Sequence, residues 1–269
     1  MKVFLSSVRI VALKEFQDCC RNLWLIVGSV FFSLLSLAVV FGTAAIGGDF
    51  SFRPLEAVMT SVVTLTVFLI PLIAILISYD SFVGEQEQGT LILLLTYPLS
   101  RTALLTGKLL GLGSALGLCL LIGFFVLPLL TFFHVLPYEL SRLSFLTVSL
   151  TLSGLLLGTV FILISLTVSL LVKNKARALG LLLTIWLLSV LFYDLGLLII
   201  TIAFENRMTN DFLNACLVAN PASSFRLFNQ QLLENSNISL KVVSLGVYLC
   251  LWSSVLFVLD RFILNKKTF

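Results

Sequence analysis

Charge is scarce in this chain. Asp, Glu, Lys and Arg together make up 11% of 269 residues, against about 25% in soluble globular domains. With 59% hydrophobic residues and a mean hydropathy of +1.12, that deficit excludes an ordinary water-soluble domain and points to lipid as the solvent. Alternating apolar segments of about ten residues are missing, which excludes a transmembrane barrel. Histidine occurs once, at His134. There is no H-E-x-x-H zinc motif, no G-x-S-x-G nucleophile motif and no Walker A sequence, so the chain lacks the usual means of hydrolysing a substrate or ATP. Cysteine is sparse: Cys19, Cys20, Cys119, Cys216 and Cys250. Only Cys216 falls in an outer loop, which argues against an intrachain disulfide there. Within the apolar runs Cys119, Cys250 and Met59 are the only soft ligands, and none is paired at helical spacing. A copper or zinc conduit needs repeated ligands of that kind, so no metal site is expected.

What the chain has is length without charge. Six apolar runs, roughly 23–46, 57–79, 104–130, 144–172, 178–204 and 240–260, each reach or exceed the ~20 residues that cross a hydrocarbon core. They predict an all-α integral membrane protein, a single transmembrane domain over 1–269 with six spans. An even number of spans puts both termini on one side. Of the 17 Lys and Arg, Arg53, Arg142, Arg207, Arg226 and Lys241 then lie outside and the rest inside, the bias expected of a chain with cytoplasmic ends. The net charge of +4 is explained by that bias and calls for no nucleic acid.

Residues 1–22 carry an apolar stripe, Phe4, Val8, Val11, Ala12 and Phe16, opposed by Ser6, Arg9, Lys14, Gln17, Asp18 and Arg21. The spacing is helical and the charges rule out a signal-peptide core. An interfacial elbow helix before the first span is expected. Cys19-Cys20 at its end is either an acylation site or a pair of small interfacial residues. Pro71 and Pro128 can kink spans 2 and 3. Gly107-x-x-x-Gly111, Gly113-x-x-x-Gly117 and Gly154-x-x-x-Gly158 permit close helix approach.

Segment 80–101 mixes acids, glycines and a run of aliphatics between two spans. Gly84 and Gly89, flanked by Asp80, Glu85 and Glu87, allow a sharp turn. Thr90 to Thr96 reads as a short apolar helix ended before Pro98, and Ser100 as the cap of span 3. A plain loop would expose Leu91 to Leu95 without purpose, so the segment reads as a docking element for a soluble partner. Asp194 is an ionisable group inside span 5, where a carboxylate is expensive; it either relays protons or holds spans together by hydrogen bonds. The outer segment 205–239 is long and polar. Pro221 suits a helix start, and Phe225, Phe228 and Leu232 then share one face, so short helices there either plug the outer mouth of the bundle or dock an outer partner.

The run Val83-Gly-Glu-Gln-Glu-Gln-Gly-Thr-Leu-Ile-Leu-Leu-Leu-Thr-Tyr-Pro-Leu-Ser-Arg101, with six spans and the elbow helix, resembles the ABC-2 class of ABC transporter permeases (type V exporter-like) across the whole chain. Leu191-Phe-Tyr-Asp-Leu195 and Asn220-Pro-Ala-Ser-Ser-Phe-Arg-Leu-Phe228 make it most similar to the branch that serves maturation of the copper centres of nitrous oxide reductase. That resemblance implies a homodimer in the bacterial inner membrane, two cytoplasmic NosF-like ABC ATPases that carry the ATP and Mg, and a periplasmic NosD-like protein. It implies that 85–96, with Glu85, Glu87, Gly89, Thr90, Leu91 and Leu95, couples to the ATPase. It also implies that Pro221, Phe225, Arg226 and Phe228 contact the outer partner. The chain itself would then be no enzyme and hold no cofactor. The competing readings are an ABC-2 exporter of a lipid or drug, and a membrane scaffold that transports nothing.

Overall fold

The computed structural model of the chain describes residues 2–46, 52–91, 100–203, 210–234 and 240–266. All regular structure among the described residues is helical. The helices are α1 (Lys2–Arg21), α2 (Trp24–Ile46), α3 (Leu55–Ser78), α4 (Val83–Glu87), α5 (Arg101–Phe132), α6 (Leu140–Leu171) and α7 (Lys175–Trp186). A π-helical turn (Leu187–Phe192) joins α7 to α8 (Tyr193–Ala203), and α9 (Asn210–Ala219), α10 (Pro221–Glu234) and α11 (Leu240–Lys266) follow.

Six helical segments are long and apolar enough to cross a membrane: Trp24–Gly42, Leu55–Glu87, Arg101–Phe132, Leu140–Leu171, Lys175–Ala203 and Val243–Lys266. They coincide with the six apolar runs. Helices α5 and α6, 32 residues each, rise about 48 Å at 1.5 Å per residue, so they outreach the ~30 Å hydrocarbon layer. Helix α5 begins where expected, because the Ser100 hydroxyl accepts the Ala103 N–H at 3.1 Å, closing one of the open donors of the first turn. Pro71 and Pro128 both lie inside continuous helices.

Helix α1 is the elbow, and its buried side overlaps the expected stripe: Val8 and Val11 are buried and Ala12 and Phe16 half-buried. Phe4 is exposed, and the side that packs on the bundle is Ser7, Val8, Val11, Glu15 and Cys19. It lies against α5, where two glycines make room. A Cβ at Gly107 would stand 2.6 Å from Val11 Cβ, and one at Gly111 would stand 2.5 Å from the Ala12 carbonyl oxygen. The first glycine pair therefore seats α1, whereas Gly113 meets nothing within 4 Å. Burial of Cys19 pushes its thiol up to about 12, which leaves Cys20 as the exposed cysteine of the pair.

The centre of the bundle is α6, packed against α5, α3, α10 and α11. Helices α9 and α10 form a hairpin that enters the bundle from the end opposite α4. Asn229 of α10 meets Ser153 of α6, 13 residues into that helix and hence about 20 Å along its axis. Phe225, one turn closer to the hairpin tip, is fully buried. Irregular backbone at such depth must be satisfied by protein. Here the Asn220 side chain accepts the Ala222 N–H at 3.0 Å and donates to the Ser189 carbonyl at 2.6 Å. Ser189 sits in the π turn, whose wider winding takes its carbonyls out of the α-helical register.

Gly111→Ala should lower the thermal midpoint in mild detergent, by about 1–3 kcal/mol of overpacking. Gly113→Ala should be neutral or slightly stabilising, as Ala is favoured over Gly in an open helical position. Equal losses for both would contradict the docking of α1.

Candidate functional site

Helix α4 has five residues, far below the length at which a helix stands alone in water, so its neighbours must hold it. Its first open N–H groups are met from α6: the Ser169 hydroxyl accepts from Phe82 at 3.1 Å and from Val83 at 2.8 Å. Such donors otherwise remain unpaired at a helix start. The Glu87 carboxylate accepts the Lys175 N–H at 2.9 Å, and Lys175 Nζ stands 3.6 Å from Asp80. Gly84 lets the Lys175 stem pass; a Cβ there would be 3.0 Å from Lys175 Cε. The chain leaves α4 at Gly89, whose φ of +71° is a left-handed backbone that glycine adopts without penalty.

Beneath α4 lies a knot of charge. Lys108 of α5 is fully buried. Its ammonium donates to Glu15 of α1 at 2.7 Å, to the Ser81 carbonyl at 2.8 Å and to Glu85 of α4 at 2.9 Å. The Phe82 ring lies below it, 4.9 Å from nitrogen to centroid, in the geometry of a cation–π contact. Lys14 joins from the rim, donating to Glu85 at 2.8 Å and Glu15 at 3.0 Å and pairing with Asp18 at 3.3 Å. An ammonium has three N–H donors, and Lys108 spends one on each of three acceptors, on α1, on α4 and in the turn before α4. Burial works against ionisation of Glu15, but Lys108 and Lys14 outweigh it and hold its carboxyl below the ordinary 4.5. Burial likewise opposes the charge on Lys14, and Glu15 and Glu85 raise its pKa well above the ordinary 10.5. What this cluster can do is fasten α4 to α1 and α5.

The structure divides the residues expected to face a soluble partner. The Glu85 carboxylate turns inward to the two lysines, and Leu91 is buried in the core of the single chain. Their burial follows from α4 lying in the bundle rather than beneath it. Glu87 and Gly89 are exposed, and Thr90 is half-buried with its hydroxyl on the Glu85 carbonyl at 3.2 Å. Leu95, Pro98 and most of the expected 90–96 helix fall outside the described residues. Lys108 and Glu15 were not singled out by sequence reasoning. The signal was present: a lysine two turns inside an apolar helix, and an acid in register with Val8, Val11 and Cys19.

At the other end, Asp194 pairs with Arg226 at 2.9 Å and accepts the Ser223 hydroxyl at 2.9 Å. Its visible role is to tie span 5 to α10, assisted by the Tyr193 hydroxyl donating to the Cys216 carbonyl at 2.6 Å. Pro221 and Phe225 are buried near the hairpin tip within the single chain. Phe228 and Arg226 are half-buried. The buried face of α10 thus packs into the bundle. Asp260 of α11, missed in the sequence, is fully buried and takes the Thr167 hydroxyl. Among the described residues no three His, Cys, Asp or Glu side chains gather as a metal-ligand set.

An elbow helix, six spans, an inter-span helix locked at one end and a helical hairpin inserted at the other define the membrane subunit of an ABC transporter. The family described as "ABC-2 family transporter protein" matches residues 9–268, and the chain belongs to that family. It is 38% identical over 252 residues to a probable ABC transporter permease protein NosY of Stutzerimonas stutzeri, covering 94% of this chain and 91% of the relative. It is 40% identical over 219 residues to a probable ABC transporter permease protein NosY of Pseudomonas aeruginosa, covering 81% and 80%. The chain is a NosY-like ABC transporter permease subunit.

Two outcomes are expected for the knot. Lys108→Met leaves Glu15 and Glu85 with only the half-exposed Lys14 as cationic partner and should cost about 3–5 kcal/mol, whereas Lys108→Met with Glu15→Leu and Glu85→Leu should recover most of that stability, as buried ion clusters replaced whole by apolar groups do. Thermal midpoints of the purified variants check both. The second outcome concerns pH. A depressed carboxyl contributes stability above its unfolded value, lost as pH falls through the folded one; a raised ammonium contributes below its unfolded value, lost as pH rises through the folded one. The stability difference between the native chain and Glu15→Gln should therefore be flat between 4.5 and 10.5 and shrink on the acid side.

Proposed function

We propose that the chain is the membrane subunit of a NosDFY-like complex of the bacterial inner membrane. It would couple ATP hydrolysis by a cytoplasmic NosF-like ATPase, which carries the ATP and Mg, to a periplasmic NosD-like protein in maturation of the copper centres of nitrous oxide reductase. Both termini and α4 face the cytoplasm, and α9 and α10 face the periplasm. The observation that carries this reading is the Lys108 knot, because a coupling helix transmits force only if it is fixed to the spans.

Helix α6 is the rod in this mechanism. Ser169 near one end holds the start of α4, and Ser153 holds Asn229 of α10; 16 residues separate them, about 24 Å along the axis. ATP-driven closure of the ATPases displaces α4, and the knot and Ser169 pass the displacement to α5 and α6. The hairpin then shifts against the outer partner. Two states a few kcal/mol apart suffice for such a rigid-body switch. The exposed rim Glu87–Gly89 is the surface offered to the ATPase. A homodimer is supported by span 5, of which 6% of the apolar window is buried within one chain, against 67% for span 4. The chemistry that reaches copper is thereby left to the partners.

A cysteine placed at Gln88 should cross-link to the ABC ATPase in native membranes, and one at Phe228 should not. In a host that makes nitrous oxide reductase, deletion of the chain should leave that enzyme copper-deficient, and the triple apolar variant should fold without restoring it. Full copper loading after deletion, with ATPase activity stimulated by a hydrophobic compound, would overturn the reading in favour of a lipid or drug exporter.

A further inference from the structure

Asp260 is a buried ionisable group with no part in the coupling described above. It stands six residues before the end of α11, about 9 Å along the helix, has no exposed surface and meets Thr167 of α6. Thr167 lies two residues from Ser169, whose hydroxyl holds the start of α4, so the site is at the α4 end of the bundle. Asp260 Oδ2 is sealed from solvent and has no hydrogen-bond partner.

No cation compensates this carboxyl. Among the described residues no Lys or Arg stands within ion-pair distance of it. Helix α6 carries no ionisable side chain between Arg142 and its end. On α5, Lys108 is held in the knot and Arg101 donates to the Leu264 and Asn265 carbonyls, one turn beyond Asp260. On α10, Arg226 is paired with Asp194 and Glu234 is exposed. On α11 itself Arg261 is exposed, and Lys266 lies over the Phe262 ring, 4.3 Å from nitrogen to centroid. An ionised Asp260 would therefore be a buried anion with at most one donor, and a carboxylate inside a span is expensive even when it is paired.

A proton count decides its state. The Thr167 hydroxyl has one hydrogen, and its oxygen faces the Leu163 carbonyl at 3.1 Å and Asp260 Oδ1. With Asp260 ionised, both neighbours are acceptors and one hydrogen has to serve the two. With a proton on Oδ1, Asp260 donates to Thr167 Oγ1, and the threonine hydrogen is left for Leu163. Both bonds are then made, and Oδ2 is a neutral carbonyl oxygen, far cheaper to leave open than an anion.

We propose that Asp260 is a proton-binding site, a carboxylic acid that donates through Thr167 to Leu163 and locks α11 to α6 only while it holds its proton. Release of the proton sets two acceptors against one hydrogen and places an unpaired charge in the bundle, so the contact of α6 with α11 has to open toward water. The proton thus sets the footing of α6 two residues from the point at which α6 holds α4. It is an input to the subunit separate from nucleotide and from either partner.

The test is infrared difference spectroscopy of the purified full chain against its variants in an ester-free detergent at about pH 6, roughly two units above the ordinary aspartate value of about 3.9. The native chain should show a carboxylic-acid C=O stretching band that shifts on exchange into D2O. Asp260→Asn, which matches the neutral acid in shape, should remove the band, and Thr167→Val, which deletes the acceptor, should shift it. From about pH 4 up to the pH at which the band bleaches, the folding constant of the native chain relative to Asp260→Asn should fall by up to tenfold per pH unit, because over that range the folded chain keeps a proton that the unfolded chain loses. No band that depends on Asp260, or a band that Thr167→Val leaves unmoved, would overturn the proposal. A native chain that gains stability over Asp260→Asn as the pH rises would reveal an ionised, compensated carboxylate and would overturn it too.

Discussion

The Lys108 ammonium is the point on which the rest of the molecule depends. A lysine with no exposed surface cannot remain charged in an apolar bundle unless its donors are all met, since a buried ion left uncompensated costs several kcal/mol. Glu15, Glu85 and the Ser81 carbonyl meet them, and through them the knot ties α1 and the start of α4 to α5. The elbow helix is pinned in register along α5, with the Gly107 and Gly111 seats setting its height. The five-residue α4, too short to exist alone, becomes part of the bundle. Buried ion clusters seldom add net stability. This one fixes which groups face one another, which is what the proposed coupling requires.

The same logic operates at the opposite end with weaker, partly wet pairs. Asp194 and Arg226 retain about a quarter of their side-chain surface, so their link tolerates rearrangement better than the dry knot under α4. A rigid joint at one end and a softer one at the other suit the proposed relay of a stroke through the subunit. Between them α6 presents Ser169 to one and Ser153 to the other. Most of its intervening residues, Leu157, Phe161 and Leu166 among them, are fully buried and close-packed interiors transmit displacement instead of absorbing it.

The spans were legible in the sequence because length and apolarity alone set them; all six helices fall on the runs first identified. The Ser100 cap was legible for a similarly local reason. What the sequence concealed was direction. Glu85 sits in a polar segment and looks solvent-facing until the register of α5 brings Lys108 beneath it, a pairing between residues 23 apart that no local period announces. Phe225 was visible as part of an apolar face, but an outer helix and a helix inserted into the bundle share that pattern. Only Asn220, Asn229 and Ser153, polar groups meeting at depth, distinguish them. Lys108 itself was counted as one more inward-lying positive charge, although a lysine so far inside an apolar helix needs a carboxylate partner, and Glu15 was waiting on the face of α1.

The most direct measurement is a pair of distances in the complex assembled with its ATPase, with spin labels on the exposed positions Arg9 of α1 and Gln88 at the end of α4. If the knot joins α1, α4 and α5 into one body, the distance from Arg9 to Gln88 within a chain stays the same with and without ATP, while in the proposed homodimer the distance from Gln88 to a label on the second copy changes. A change in the Arg9 to Gln88 distance on ATP binding would show α4 moving on its own and would contradict the account.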